Sequence, residues 1–241
     1  MLPLERQNQI LEILNTRHAV TVDELCALLY SSGATIRRDL QILESSGLIR
    51  RTHGGAVHID ANTRDFPMTL RENENLGAKE TLVQRALPLI KEGYTLFMDS
   101  SSTVCRLARR LAAFQHLRVI TNGLKTASIL AELEGVEVYG TGGRLRDGAM
   151  SFVGTQAAEF VRRFNADIAF ISCRGVDAEA GITDSDEQEA ELKRVFMQNA
   201  RSTVLLCDSS KLGQRYFCKI NPLDAVQKII TNVQLPPEYQ K

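Results

Sequence analysis

No apolar run in this 241-residue chain approaches a membrane span: stretches such as Val204–Cys207 fall far short of the ~20 residues needed to cross a bilayer. The amino-terminal stretch Met1-Leu-Pro-Leu-Glu-Arg6 lacks a basic region followed by an apolar one, so no signal peptide is expected. Cys26, Cys105, Cys173, Cys207 and Cys218 are odd in number, widely spaced and form no Cys-x-x-Cys pair. That argues against a disulfide framework and a zinc site and suits a reducing cytosol. Neither sign of charge is in excess, with 29 basic and 29 acidic side chains, which excludes a uniformly basic nucleic-acid binder but not a local basic patch. Several catalytic signatures are missing too. There is no Gly-x-Ser-x-Gly elbow, no phosphate-binding Gly-x-x-x-x-Gly-Lys loop and no His-Glu-x-x-His pair, and Gly140-x-Gly142 lacks the third glycine of a dinucleotide fingerprint. No internal repeat or low-complexity tract appears. With 44% hydrophobic residues the composition is that of an ordinary globular protein, long enough for one large domain or two smaller ones.

What the chain does contain divides into two regions of different period. Residues 1–59 read as three short helices and a hairpin. Leu4, Gln7, Ile10, Leu11 and Leu14 form a stripe at helical spacing in a first helix ending near Arg17. Thr21, with Glu24 three residues on, is a capping-box signature for a second helix carrying Val22, Leu25, Leu28 and Leu29. The chain breaks at Tyr30-Ser31-Ser32-Gly33, Ser32 is the expected N-cap of a third helix with Ile36, Leu40 and Leu43 inward, and Gly47 is expected to stop it. Two short extended runs, Leu48–Thr52 and Ala56–Ile59, flank His53-Gly54-Gly55 and predict a β-hairpin. Residues 60–76 turn polar and aperiodic and read as a linker. From 77 to 241, helical stretches near 77–91, 102–113, 123–133, 155–164 and 187–200 alternate with apolar runs at 94–98, 117–120, 136–139, 167–172, 203–207 and 226–230. This predicts an open, mostly parallel α/β sheet covered on both faces.

Two helices joined by a tight turn and followed by a hairpin describe a winged helix-turn-helix, whose second helix suits the major groove of DNA. From Gly33 to His58 the charges are Arg37, Arg38, Arg50 and Arg51 against Asp39 and Glu44, so the neutral total conceals a basic edge. The planar fork of arginine can bridge phosphates or grip a guanine edge. Candidate DNA-contacting residues are Ser32, Thr35, Arg37, Arg38 and Gln41 on the third helix and Arg50, Arg51 and His53 on the wing. The competing reading is a solvated helix face and an exposed hairpin tip. Asp39 is expected to serve structure, orienting a neighbouring arginine.

In the larger region several strands run straight into small or polar residues: Asp99-Ser-Ser-Ser-Thr103, Thr121-Asn122-Gly123, Gly140-Thr-Gly-Gly-Arg144, Cys173-Arg174-Gly175-Val-Asp177 and Asp208-Ser-Ser-Lys211. In open α/β sheets ligands bind outside the carboxyl ends of the strands. Ser100, Ser101, Ser102 and Thr103 are candidates to cradle an anion or, more plainly, to cap a helix. Asp99, Asp177 and Asn122 suit sugar hydroxyls, while Arg144, Lys193 and Lys211 suit a phosphate. Thr121, Gly142, Gly143, Arg174 and Glu189 complete the candidate set. For Glu189 and Lys193 the alternative is an ordinary i,i+4 surface pair, and for Gly142 and Gly143 simple turns. No metal or cofactor is called for.

Three segments together resemble the DeoR family of bacterial sugar-responsive repressors: Arg6…Ile10…Leu14, Ser32-Gly-Ala-Thr35-Ile-Arg-Arg-Asp-Leu40 and Gly47-Leu-Ile-Arg-Arg-Thr-His-Gly-Gly-Ala56. The Asp-Ser-x-x-Thr, Thr-Asn, Gly-Gly-x-x-Arg, Glu-x-x-x-Lys and Asp-Ser-Ser-Lys segments look like that family's effector domain, so the resemblance spans nearly the whole chain. It implies an effector fold similar to sugar-phosphate isomerases, a phosphorylated sugar as ligand, release of double-stranded operator DNA when the ligand binds, and assembly as a homodimer or homotetramer in the cytoplasm. The rival expectation is a sugar-phosphate isomerase-like enzyme with a DNA-binding appendage, which needs a free carboxylate base.

Overall fold

Apolar residues at helical spacing build the first part of the chain, described by a computed structural model that covers residues 2–17, 19–46, 48–52, 54–58, 68–146 and 148–240. Contacts divide the chain into two units, Met1–Glu74 and Asn75–Lys241. In the first, helix α1 (Pro3–Arg17) is followed by strand β1 (Ala19–Thr21), helices α2 (Val22–Leu29) and α3 (Gly33–Ser45), strands β2 (Ile49–Thr52) and β3 (Gly55–His58), and the short helix α4 (Met68–Arg71). Ile10 and Leu14 of α1, Leu25 of α2 and Ile36, Leu40 and Leu43 of α3 are essentially fully buried in one cluster. Thr21 and Glu24 form the expected capping box, and Ser32 caps α3 by accepting the Thr35 N–H. Between the helices Tyr30 adopts a left-handed conformation, φ 49°.

The wing is three-stranded rather than two, in the order β1-β3-β2. A Cβ on Gly55 would lie 2.2 Å from the Val20 carbonyl oxygen, so only glycine lets β3 lie against β1. Three residues are too few for β1 to show alternation, which is why its sequence does not announce it. The linker reading of 60–76 needs correction: Met68–Arg71 is helical with Met68 buried, one turn being too short for a periodic signal. Gly47, His53, Ile59 and residues 60–67 lie outside the described residues.

The second unit runs α5 (Leu76–Ala86), β4 (Thr95–Met98), α6 (Ser102–Ala108), β5 (Leu117–Thr121), α7 (Leu124–Ala131), β6 (Val136–Gly140), β7 (Arg144–Arg146), β8 (Ser151–Val153), α8 (Thr155–Val161), β9 (Ala166–Ile171), β10 (Gly175–Asp177), β11 (Gly181–Asp184), α9 (Glu187–Gln198), β12 (Ala200–Leu206), β13 (Cys218–Asn221) and β14 (Lys228–Ile230). The six apolar runs of the sequence are the six strands of one wholly parallel sheet, ordered β14-β12-β9-β4-β5-β6. Alternate residues serve opposite faces. Leu96, Met98, Val119 and Phe170 pack under α5, α6 and α7, whereas Phe97, Ile120, Ala169 and Ile171 pack under α8 and α9, where the Phe97 and Phe196 rings sit 5.1 Å apart. The antiparallel pieces, a β7–β8 hairpin and a β10-β11-β13 sheet, are short and polar and left no alternation to read. Among the described residues no helix is long and apolar enough to cross a membrane.

The strand order sets the site. From β4 the chain proceeds outward through β5 and β6, then returns to place β9 on the other side of β4. The loops after β4 and β9 therefore diverge at the switch point, where such sheets open a crevice.

Candidate functional site

On the first unit, α3 presents Arg37, Arg38 and Gln41 to solvent, with Thr35 half-buried. Ser32 and Thr35 are engaged with each other, their hydroxyls 2.9 Å apart at the start of the helix. The Arg37 guanidinium folds back over the first turn, and a Cβ on Gly33 would come within 3.0 Å of it. Arg50 and Arg51 stand exposed on β2, and the Arg51 N–H donates to the Glu44 carboxylate at 2.9 Å, tying wing to helix. Among the described residues no hydrogen bond or ion pair occupies the side chains of Arg37, Arg38, Arg50 or Arg51, which leaves four uncommitted guanidinium groups on α3 and β2. Asp39 does not orient any of them. It points inward, beside Leu40, and takes Arg6 of α1 at 2.5 Å and the Gln7 amide at 3.1 Å. Its partner lies 33 residues away, a distance no local pattern reveals.

On the second unit, Asp99 lies at the end of β4 and is 1% exposed. Its two oxygens accept the N–H groups of Ser101 (3.0 Å) and Ser172 (2.9 Å), the latter from the loop after β9, so this one carboxylate spans the switch point. Next to it Lys193 is buried, in contact with Asp184 and 3.9 Å from the second Asp99 oxygen. Burial pulls the Lys193 ammonium down, but Asp184, Asp99 and Glu189 outweigh it and leave its pKa above the ordinary lysine value. Glu189, one turn earlier on α9, is equally buried and accepts from Ser100 (3.2 Å), from Ser151 and from Arg146 (3.1 Å). The surface-pair reading of Glu189 and Lys193 is thereby corrected: both face the crevice, each bound to residues from other strands. Lys211 donates to the Ser172 hydroxyl at 2.9 Å and retains some exposure.

The remaining candidates separate. Thr121 accepts the Gly123 N–H, and Asn122 binds the Phe152 carbonyl at 3.1 Å while its own oxygen is buried without a partner among the described residues. Ser101 caps α6 through the Val104 N–H, as the capping reading expects, whereas Ser102 and Thr103 are buried within that helix. Gly143 is left-handed, φ 106°, and a Cβ there would meet the Val153 carbonyl of β8 at 2.8 Å and Ala157 of α8 at 3.3 Å, so glycine lets the turn lie against both. Gly142 faces open space, and Arg144 reaches Gln188 at 2.5 Å on the rim. Arg174 joins the hairpin through its N–H to the Thr183 carbonyl. Asp177 is set apart: it accepts from Glu179 and Ala180 in the β10–β11 turn and pairs with Arg215 at 2.8 Å, and this hydrogen bond leads the effects that hold its carboxyl down at about 2. Sequence reasoning missed Arg146, Ser151, Ser172 and Asp184. Ser172 borders a loop the sequence did single out, Arg146, Ser151 and Asp184 lie on short strands, and only the tertiary fold brings the four here. Among the described residues, no group of three or more His, Cys, Asp or Glu side chains is placed to hold a metal ion.

Comparison with known proteins matches residues 74–233 to the DeoR C-terminal sensor domain and residues 6–62 to the DeoR-like helix-turn-helix domain. The chain is similar to the HTH-type transcriptional regulator YulB of Bacillus subtilis, 36% identical over all of this chain and 93% of that protein. It is also similar to the glycerol-3-phosphate regulon repressor of Escherichia coli, 29% identical over 96% of this chain and 92% of that one. Among solved structures, ribose 5-phosphate isomerase A of Methanocaldococcus jannaschii aligns with 58% of this chain and 55% of its own at 17% identity and a TM-score of 0.42.

Proposed function

This chain belongs to the DeoR family of DNA-binding transcriptional regulators, and from that premise we propose that it represses a carbohydrate-utilisation operon under the control of a phosphorylated sugar held at the β4–β9 switch point. The observation that carries this reading is the Asp99 bridge between the two diverging loops, with Lys211 2.9 Å from the Ser172 hydroxyl beside it. Lys211 offers a cation to a phosphate, while Ser100, Glu189 and the Asn122 oxygen, which has no partner among the described residues, offer partners to sugar hydroxyls. One relative is itself named for a phosphate ester regulon. The isomerase alternative loses its base: Asp99, Asp177 and Glu189 are each engaged in several hydrogen bonds. Cys173 supplies no thiolate, since its hydrogen bond with Cys207 and its burial raise its pKa.

A thermal-shift screen against sugar phosphates tests the reading, because a ligand selective for the folded state adds about 2.7 kcal/mol at a hundred times its Kd. Lys211→Ala is expected to weaken binding of the responding compound by about tenfold or more, equivalent to about 1.4 kcal/mol. Undiminished affinity in that variant removes Lys211 from the site.

On the DNA side, Arg37→Ala is expected to weaken operator binding by about 1–3 kcal/mol and relax sequence discrimination, as loss of a base contact does. Arg51→Ala should weaken cognate and random duplexes alike and flatten the salt dependence, as loss of a phosphate contact does. Fluorescence anisotropy across a salt series separates the two; identical profiles would refute the division of labour.

A further inference from the structure

Asn75 occupies the N-cap position of α5 yet makes no capping bond from its side chain, and its backbone is left-handed at φ 49°. N-cap asparagine ordinarily satisfies an orphan N–H of the first turn. Here the amide nitrogen instead reaches the loop after β12, 3.4 Å from Asp208 Oδ1 and 3.2 Å from Ser210 Oγ. Asn75 is also the first residue of the second unit, directly following Glu74, the last of the first. The Asp208 it holds accepts the Ser210 N–H with the same oxygen, while its other oxygen lies 3.9 Å from the Lys211 ammonium.

We propose that this Asn75–Asp208–Ser210 contact is a latch that couples sugar-phosphate occupancy to operator binding. The inference rests on the effector reading given above and concerns how that site is regulated. A phosphate ester on Lys211 competes with Asp208 and Ser172 for the ammonium and brings a second negative charge towards Asp208. Asp208 then loses its cation and the turn that holds Ser210 shifts, so the two acceptors of the Asn75 amide move together. Asn75 stands where the chain leaves for the DNA-binding unit, so its release alters the tether of that unit. The ligand thus has a differential interaction with latched and released states, which is what a shift of population requires. The latched state is the operator-binding one.

The test uses the full chain, a duplex selected from random sequence by the wild-type protein, and ribose 5-phosphate, glucose 6-phosphate, fructose 6-phosphate and glycerol 3-phosphate as probes. Asn75→Gly removes the amide while accepting the left-handed backbone without strain. In the wild type the responding probe is expected to weaken duplex binding about tenfold or more. Unliganded Asn75→Gly should already bind the duplex as weakly as liganded wild type, respond less than about threefold to the probe, and bind that probe at least as tightly. Ser210→Ala, which removes one of the two acceptors, should shift in the same direction by less. An Asn75→Gly protein with wild-type duplex affinity and full response overturns the latch alone. A variant that no longer binds the probe assigns Asn75 to the pocket and likewise overturns it. A wild type that none of the probes stabilises or releases from DNA overturns the effector reading, and the latch with it.

Discussion

Lys193→Met is expected to lower the unfolding free energy of the second unit by about 3–5 kcal/mol in urea, the scale for removing one partner of a buried ion pair. Lys193 is 6% exposed and its ammonium touches Asp184 and approaches Asp99. Without it Asp99 retains its two backbone N–H donors and Asp184 the Ser185 N–H. Neither retains a counter-charge among these contacts, and burial leaves solvent little role in screening them. The loss would be a large fraction of a typical domain stability of about 5–15 kcal/mol. Replacing both members of the closer pair, Lys193→Met with Asp184→Leu, should recover part of it, because Asp184 is then no longer a buried charge without its partner, while Asp99 still is. The pH dependence has a definite sign. The folded-state pKa of Lys193 is raised, so its stabilisation is complete below the unfolded lysine value of about 10.4 and disappears only as pH rises through the folded one. The gap between wild type and Lys193→Met should therefore be constant from about pH 7 to 9. A gap that closes within that range, or never exceeds about 1 kcal/mol, would show that the cluster holds the crevice by other means.

Asp39→Ala is expected to unfold the first unit and abolish operator binding while the second unit melts as before. Asp39 and Arg6 join α3 to α1 with side chains 3% and 10% exposed, and Gln7 adds a second bond from α1. Deleting the carboxylate leaves the Arg6 charge buried away from it, again a penalty of about 3–5 kcal/mol. A core as small as this unit's rarely supplies more than that in total. Calorimetry should show a transition lost or moved far down in temperature, beside one left in place. Arg6→Met combined with Asp39→Leu should restore folding and DNA binding. Cooperative melting of Asp39→Ala at the wild-type temperature would assign the α1–α3 contact to apolar packing alone.

Most of the fold was legible. The three helices of the first unit follow from Ile10, Leu14, Leu25, Ile36, Leu40 and Leu43 at helical spacing, and their boundaries from the capping residues Thr21, Glu24 and Ser32. The six apolar runs correspond to the six strands because the strands of a parallel sheet covered on both faces are mostly apolar, the edge strands β6 and β14 being only partly buried. Elements of three or four residues, β1, α4 and the β7–β8 hairpin, escaped for the opposite reason: so short a stretch completes no period. Within the candidate site the loops after β4, β5, β9 and β12 were visible as small and polar residues at strand ends. Which side chains remain free there was not. Asp99 is committed to the amides of Ser101 and Ser172, and Asp177 to a turn and Arg215, because each accepts whichever donors the tertiary fold brings within reach.

Period and punctuation along the chain were enough to determine a helical DNA-binding unit with a wing, a parallel α/β unit, and the strand ends at which a ligand would be met. Strand order belonged to the tertiary structure alone. Only the return of the chain to place β9 beside β4 brings Asp99 to Ser172, 73 residues on, and Ser100 to Glu189, 89 residues on. The same folding turns Glu189 and Lys193 inward and sets Asp39 against Arg6. Hydrogen bonds and ion pairs act over a few ångströms of space whatever the separation along the chain, so residues that meet this way leave no periodic trace of their meeting.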